Sequence, residues 1–179
     1  GINRLSMGVQ TFQPEQLRYL HRAHTAQQAE FAIKAAQDAG IEALSVDLIY
    51  ALPSATHASL ERDLQQLISF GVPHVSAYCL TIEPKTVFGN WVAKKKMSSV
   101  DEDFASEQFR IVVNMLAGQG YEQYEISNFA RNEQYSRHNT AYWQRRPYLG
   151  VGPSAHSYNG ATRQYNRAHN ADYLKAIAS

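Results

Sequence analysis

The stretch "SVDLIYALP", residues 45–53, decides the fold. It reads as a buried strand, yet a carboxylate, Asp47, sits in its middle. Near-continuous apolar strands belong to parallel sheets covered by helices. Two similar segments flank it, "RLSMGVQ" (4–10) and "HVSAYCLTIEP" (74–84). Helical patterns separate the three. The first opens on Thr25 with Gln28 three residues on, a capping box. It carries Ala29, Ala32, Ile33 and Ala36 at helical spacing and ends at Gly40. The second presents Leu60, Leu64, Leu67 and Ile68 on one face and stops at Gly71. Strand–helix alternation of this kind predicts an α/β fold with a parallel sheet and right-handed crossovers. Three strands do not close a barrel, so the first is expected to lie at an edge.

The remainder of the chain has a different character. A basic loop, "AKKKMSS", leads to a third helix, with Ser99 and Glu102 as its expected capping box and Phe109, Val112 and Leu116 as its apolar side. "YEQYEISNFA" (121–130) alternates like a strand. "YLGVGPSAHSYNGATRQYN" reads as a hairpin turning at Asn159-Gly160. Eight of the eleven tyrosines lie from Tyr121 onward. We therefore divide the chain into β/α units over 1–95 and an aromatic-rich α+β extension over 96–179.

Composition bounds the function. With 179 residues, 44% apolar and 18% charged, the chain can build a core. A net charge of +1 provides no broad field for nucleic acid. There is no membrane-spanning run and no signal peptide, so a cytoplasmic protein is the default, with peripheral membrane contact left open. The single cysteine, Cys79, rules out an internal disulfide and reads as a small buried hydrophobe. A chain that opens on Gly1 and goes at once into a strand is expected to be a piece of a longer protein.

Ligands of parallel β/α folds bind at the carboxyl ends of the strands. The three strands bring Gln10, Asp47, and Thr81 with Glu83 to that end. An acid there suits a ligand hydroxyl or ammonium, or else accepts hydrogen bonds from neighbouring backbone or Arg22. Among seven histidines none has helical zinc-site spacing, and His57 and His74 read as ordinary loop or strand-start residues. His138 stands apart, beside Tyr142 and Trp143 in a stretch with Arg137, Arg145 and Arg146. Imidazole ligates iron, aromatics cover a macrocycle and arginine pairs with propionates, so this composition suits haem.

Taken in order, "NRLSMGVQTF", "VDLIYALP", "SAYCLTIEP", "YEISNFA", "RHNTAYW" and "YLGVGPSAHS" resemble the motifs of the HemN/HemW group of radical S-adenosylmethionine proteins. "YEISNFA" and "HNTAYW" are similar to its haem-chaperone branch. The resemblance implies that the chain is the second part of a partial (β/α)6 barrel with a C-terminal α+β extension. It implies S-adenosylmethionine as cofactor, with Gln10, Arg22 and Asp47 among its contacts and Thr81 and His156 as further ones. It implies haem, with His138 as candidate ligand. It also implies a [4Fe-4S] cluster on a C-x-x-x-C-x-x-C motif that this chain does not contain, so the chain alone is expected to be inactive. Two departures stand out: Ala51 where the group has glycine, and Cys79 where a polar amide is expected.

The resemblance points to a haem-binding chaperone that delivers haem to acceptor proteins. The alternative is an oxygen-independent coproporphyrinogen III oxidase, which leaves open whether the whole protein is an enzyme. A generic barrel hydrolase is set aside, because no nucleophile–base pair or paired carboxylates stand at recognisable spacing.

Overall fold

A computed structural model describes residues 2–84, 86–95 and 99–178. They form two compact units, 1–135 and 136–179. The boundary follows hydrogen bonding: the last strand of the first unit is laddered onto its central sheet.

The first unit runs β1 (Arg4–Gln10), α1 (Pro14–Tyr19), α2 (Ala26–Asp38), β2 (Ala43–Tyr50), α3 (Ala58–Ser69), β3 (His74–Cys79), α4 (Val87–Ala93), α5 (Glu102–Ala117), β4 (Glu122–Gln123) and β5 (Asn128–Ala130). The strand order is β1-β2-β3-β5-β4, parallel across β1, β2 and β3 and antiparallel thereafter. Thr25 and Gln28 form the expected capping box at the start of α2. Gly40 and Gly71, at φ 76° and 65°, turn the chain left-handed after α2 and α3.

The strand alternation sorts the sheet into two unlike faces. Leu44, Val46, Leu48, Val75 and Phe129 join Ile33, Leu60, Leu64, Leu67, Val112 and Leu116 in one buried cluster, every one at most 5% exposed. Each such side chain contributes about 1.5–3 kcal/mol on removal from water. The opposite face carries Ser45, Asp47, His74, Ser76 and Asn128. A strand that reads as uniformly apolar thus has one dry face and one polar face.

Three details differ from the sequence reading. The third strand ends at Cys79 instead of Pro84, its last rung being the Leu80 amide on the Tyr50 carbonyl (2.9 Å). The third long helix is capped by Asp101, whose carboxylate accepts from the Phe104 amide at 2.8 Å. Glu102 is then the first helical residue and cannot serve Ser99. The segment 121–130 is two short strands about a turn, in which the Glu125 carboxylate accepts from the Ser127 amide (3.1 Å).

The second unit comprises α6 (Arg137–Trp143), β6 (His156–Tyr158), β7 (Arg163–Tyr165) and α7 (Asn170–Ala178). Strands β6 and β7 form the expected hairpin, where the Asn159 side chain accepts from the amides of Ala161 and Thr162 at 2.9 and 2.8 Å. Among the described residues of this unit only Ser136 is buried.

Candidate functional site

Asp47 is the fifth of eight residues in β2, so it lies further back from the strand end than the sequence reading placed it. Its carboxylate receives the Ser6 hydroxyl at 3.3 Å on each oxygen, while the Ser76 hydroxyl on β3 donates to Asn128 Oδ1 at 2.8 Å. Burial pushes its pKa up, against the hydrogen bonds of Ser76 and Ser6 and the charge of Arg4. The acid is thus held by the Ser6 hydroxyl, and the guanidinium whose charge it feels belongs to Arg4, not Arg22.

The same face holds a buried histidine that the sequence reading passed over as ordinary. His74 is 1% exposed. Its Nδ1 pairs with the Ser45 hydroxyl and its Nε2 with the Tyr124 hydroxyl, both at 2.7 Å. Burial, reinforced by the Arg4 charge, lowers its pKa to about 4. At neutral pH the ring is uncharged, one nitrogen donating and the other accepting.

Gln10 ends β1 at φ 72°, a left-handed conformation unusual for a side chain of this size. What holds it there lies just downstream. Asp63 of α3, 2% exposed, accepts from Thr11 Oγ1 (2.6 Å), the Phe12 amide (3.0 Å) and Gln13 Nε2 (2.7 Å). Asp63 therefore positions Gln10 by fixing the loop that follows it. The sequence signal was available: position 63 falls on the same helical stripe as Leu60, Leu64 and Leu67.

Gly8 joins three of the predicted residues. It is the register partner of Asp47, and the Arg22 Nη2 donates to its carbonyl at 3.4 Å. A Cβ there would meet Gln10 Nε2 at 2.5 Å and Arg22 Nη2 at 3.5 Å. Gly8→Ala is expected to swing the Gln10 amide aside at a stability cost under about 1 kcal/mol, since only the end of a flexible side chain must move. Thermal unfolding checks this; a loss above about 2 kcal/mol would show that backbone gives way instead.

Thr81 donates to the Cys79 carbonyl (3.4 Å) and lines a cavity of about 620 Å³ with Leu80, Ile82, Val92 and Ala105. An adjoining cavity of about 450 Å³ is walled by Tyr19, Ala51, Leu52 and Phe104. Both are predominantly apolar hollows beyond the strand ends. Glu83 follows in the same loop. Cys79 is exposed, not a buried hydrophobe, and partial burial of its thiol raises its pKa. In the second unit, His138 lies on α6 with its ring edge-on to Tyr142 at 4.8 Å, and His156 opens β6 with its ring 5.9 Å from Tyr165.

Residues 1–67 match the model of the radical SAM superfamily. The heme chaperone HemW of Bacillus subtilis is 38% identical over 99% of this chain and 47% of that protein. The heme chaperone HemW of Escherichia coli is 38% identical over 87% of this chain and 40% of that protein. The structure of coproporphyrinogen III oxidase, HemN, from Escherichia coli superposes with a TM-score of 0.79 at 24% identity, over 99% of this chain and 44% of that one. In sequence and in fold the chain is similar to the HemN/HemW group of radical SAM proteins. It spans about half the length of the curated relatives it matches.

The structure makes the Ala51 departure legible. Ala51 sits at φ 61°, the left-handed region in which glycine is at ease, and its amide donates to Gln108 Oε1 of α5 at 2.7 Å. A methyl group is accommodated there at a backbone cost of about 1 kcal/mol.

The radical SAM family implies S-adenosylmethionine and a [4Fe-4S] cluster. The residues of this chain do not fit the cluster: there is one cysteine, and no metal-holding group of His, Cys, Asp or Glu occurs among the described residues. The group around Gly8 does fit a polar small molecule, since the missing Cβ leaves an amide and a guanidinium close together over half-buried backbone. No helix among the described residues is long and apolar enough to cross a membrane.

Proposed function

We propose that this chain is part of a haem-binding chaperone, a cytoplasmic protein that takes up haem and passes it to acceptor proteins. The observation that carries the reading is the run of heme chaperones at 34–38% identity along nearly the whole chain. In this reading His138, exposed on α6 among aromatic rings, is the iron ligand. Gln10, Arg22 and Asp47, gathered about Gly8, take polar groups of S-adenosylmethionine, with Asp47 accepting from its ribose hydroxyls. Thr81 and His156 supply further contacts. S-adenosylmethionine supplies radical chemistry only when joined to a cluster whose ligands this chain does not provide. What these residues do is bind and orient.

A second reading, oxygen-independent coproporphyrinogen III oxidase, is favoured by the fold likeness to that enzyme. One experiment separates the two. Haemin is titrated into the intact protein and its His138→Ala variant, and the same samples are assayed for coproporphyrinogen III consumption. Haem binding weakened at least about tenfold in the variant, without turnover, is the expected result. Turnover without stable haem binding makes the protein an oxidase and returns His138 to a packing role.

A further inference from the structure

The overall charge of +1 conceals a segregation. Residues 136–179 carry five arginines and one lysine against one aspartate, a net of +5. Residues 1–135 hold the remaining 11 basic and 15 acidic residues, a net of −4. Within the second unit the positive charge has a focus. Between α6 and the hairpin lies a cleft of about 300 Å³ lined by Tyr142, Arg145, Tyr148, Tyr158, Ala161 and Arg163. We propose that Arg145 and Arg163 form a carboxylate clamp that holds the propionate edge of the tetrapyrrole.

Three observations carry it. The two guanidiniums come from separate elements, one just past α6 and one on β7, and converge on a single hollow. Neither forms an ion pair among the described residues. Each keeps the forked donors that match a carboxylate bidentately. Finally, the ring pairs His138–Tyr142, Tyr142–Tyr148 and Tyr148–Tyr158, at 4.8, 4.6 and 6.3 Å, form a ladder from the imidazole into the cleft. A planar ligand with a metal at its centre and acids at its rim needs these features in this sequence: nitrogen ligand, aromatic surface, cationic end. The cleft is at the small end of ligand pockets, which gives room for the acidic edge and not the macrocycle. Two structural details hold the arginines in place. Arg145, the second residue past α6, adopts φ 53°, and the Asn159 turn fixes the start of β7.

The clamp rests on the haem reading above, and its test separates the two. Haemin and haemin dimethyl ester, whose carboxylates are blocked, are titrated into the intact protein, the Arg145→Gln/Arg163→Gln variant and an Arg167→Gln control outside the cleft. In the wild type and the control the ester binds about 10–100-fold more weakly than haemin. In the double variant the two ligands bind alike, at the ester's affinity. Equal binding of both ligands by the wild type, or discrimination that survives in the double variant, overturns the clamp and leaves the haem reading standing. Binding of neither ligand by the wild type overturns both. All three arginines are exposed, and an unchanged circular dichroism spectrum confirms that the variants fold.

Discussion

Replacing Asp63 with alanine is expected to remove about 3 kcal/mol of stability. The acid is buried on α3 and accepts from three donors of the loop after β1. Alanine removes the acceptor and leaves the Phe12 amide and the Gln13 carboxamide without it inside the protein. Each stranded donor costs about 1–3 kcal/mol, partly offset because the desolvated charge disappears too. Burial raises the Asp63 pKa against these hydrogen bonds and the charge of Arg62. Asp63→Asn, which keeps one acceptor oxygen, should lose about half as much. Urea unfolding of the two variants against wild type measures this, and a loss below about 1 kcal/mol for alanine would show that the loop is held by other means. Release of the loop also frees Gln10 from its left-handed backbone, so a disturbance at the Gly8 group should accompany the lost stability.

Acidification from pH 7 to about 4 should withdraw about 3 kcal/mol through His74 alone. In the unfolded chain the imidazole takes a proton near 6.5; in the folded protein it does so only near 4. Between those values the unfolded state binds the additional proton, so stability rises with pH across the window and is lost as the pH falls. A gap of about 2.5 pH units corresponds to about 3 kcal/mol. Asp47 and Asp63 act in the opposite direction. Their folded pKa values lie above the ordinary carboxylate value, so near that value it is the folded state that holds the extra proton. His74→Gln, whose amide can still reach Ser45 and Tyr124, isolates the histidine. Its stability should vary less between pH 6.5 and 4.5 than wild type, by about one proton's worth. Parallel profiles for the two proteins would show that His74 is protonated in the fold.

The parallel core of the first unit was legible because local pattern and tertiary packing agree. Alternation in β2 and the leucine stripe of α3 describe the surfaces that they bury. Thr25–Gln28 and Asn159–Gly160 are local devices and formed as read. The misses have a common physical origin in non-local partners. The antiparallel pairing of β5 with β3 depends on residues some fifty positions apart. Burial of His74 depends on Tyr124, and the role of Asp63 on Thr11 to Gln13. Helices α1, α4 and α6 have six or seven residues, too few for a periodic signature. Of the predicted contacts, the strand residues Gln10 and Asp47 come near one another around Gly8 because register dictates it. Thr81 lies past the end of β3, where the sequence carried no information on the path of the loop.

The hydrogen bond from Ala51 to Gln108 bears on how the first unit matures. The turn that closes β2 is completed by a side chain 57 positions later, on a helix that follows all three parallel strands. Closing so long a loop costs entropy before any contact repays it. The rim of the apolar cavity at Ala51 is therefore among the last parts of the unit to take shape. It exists only in molecules whose α5 has already docked, since Phe104 of that helix forms part of its wall.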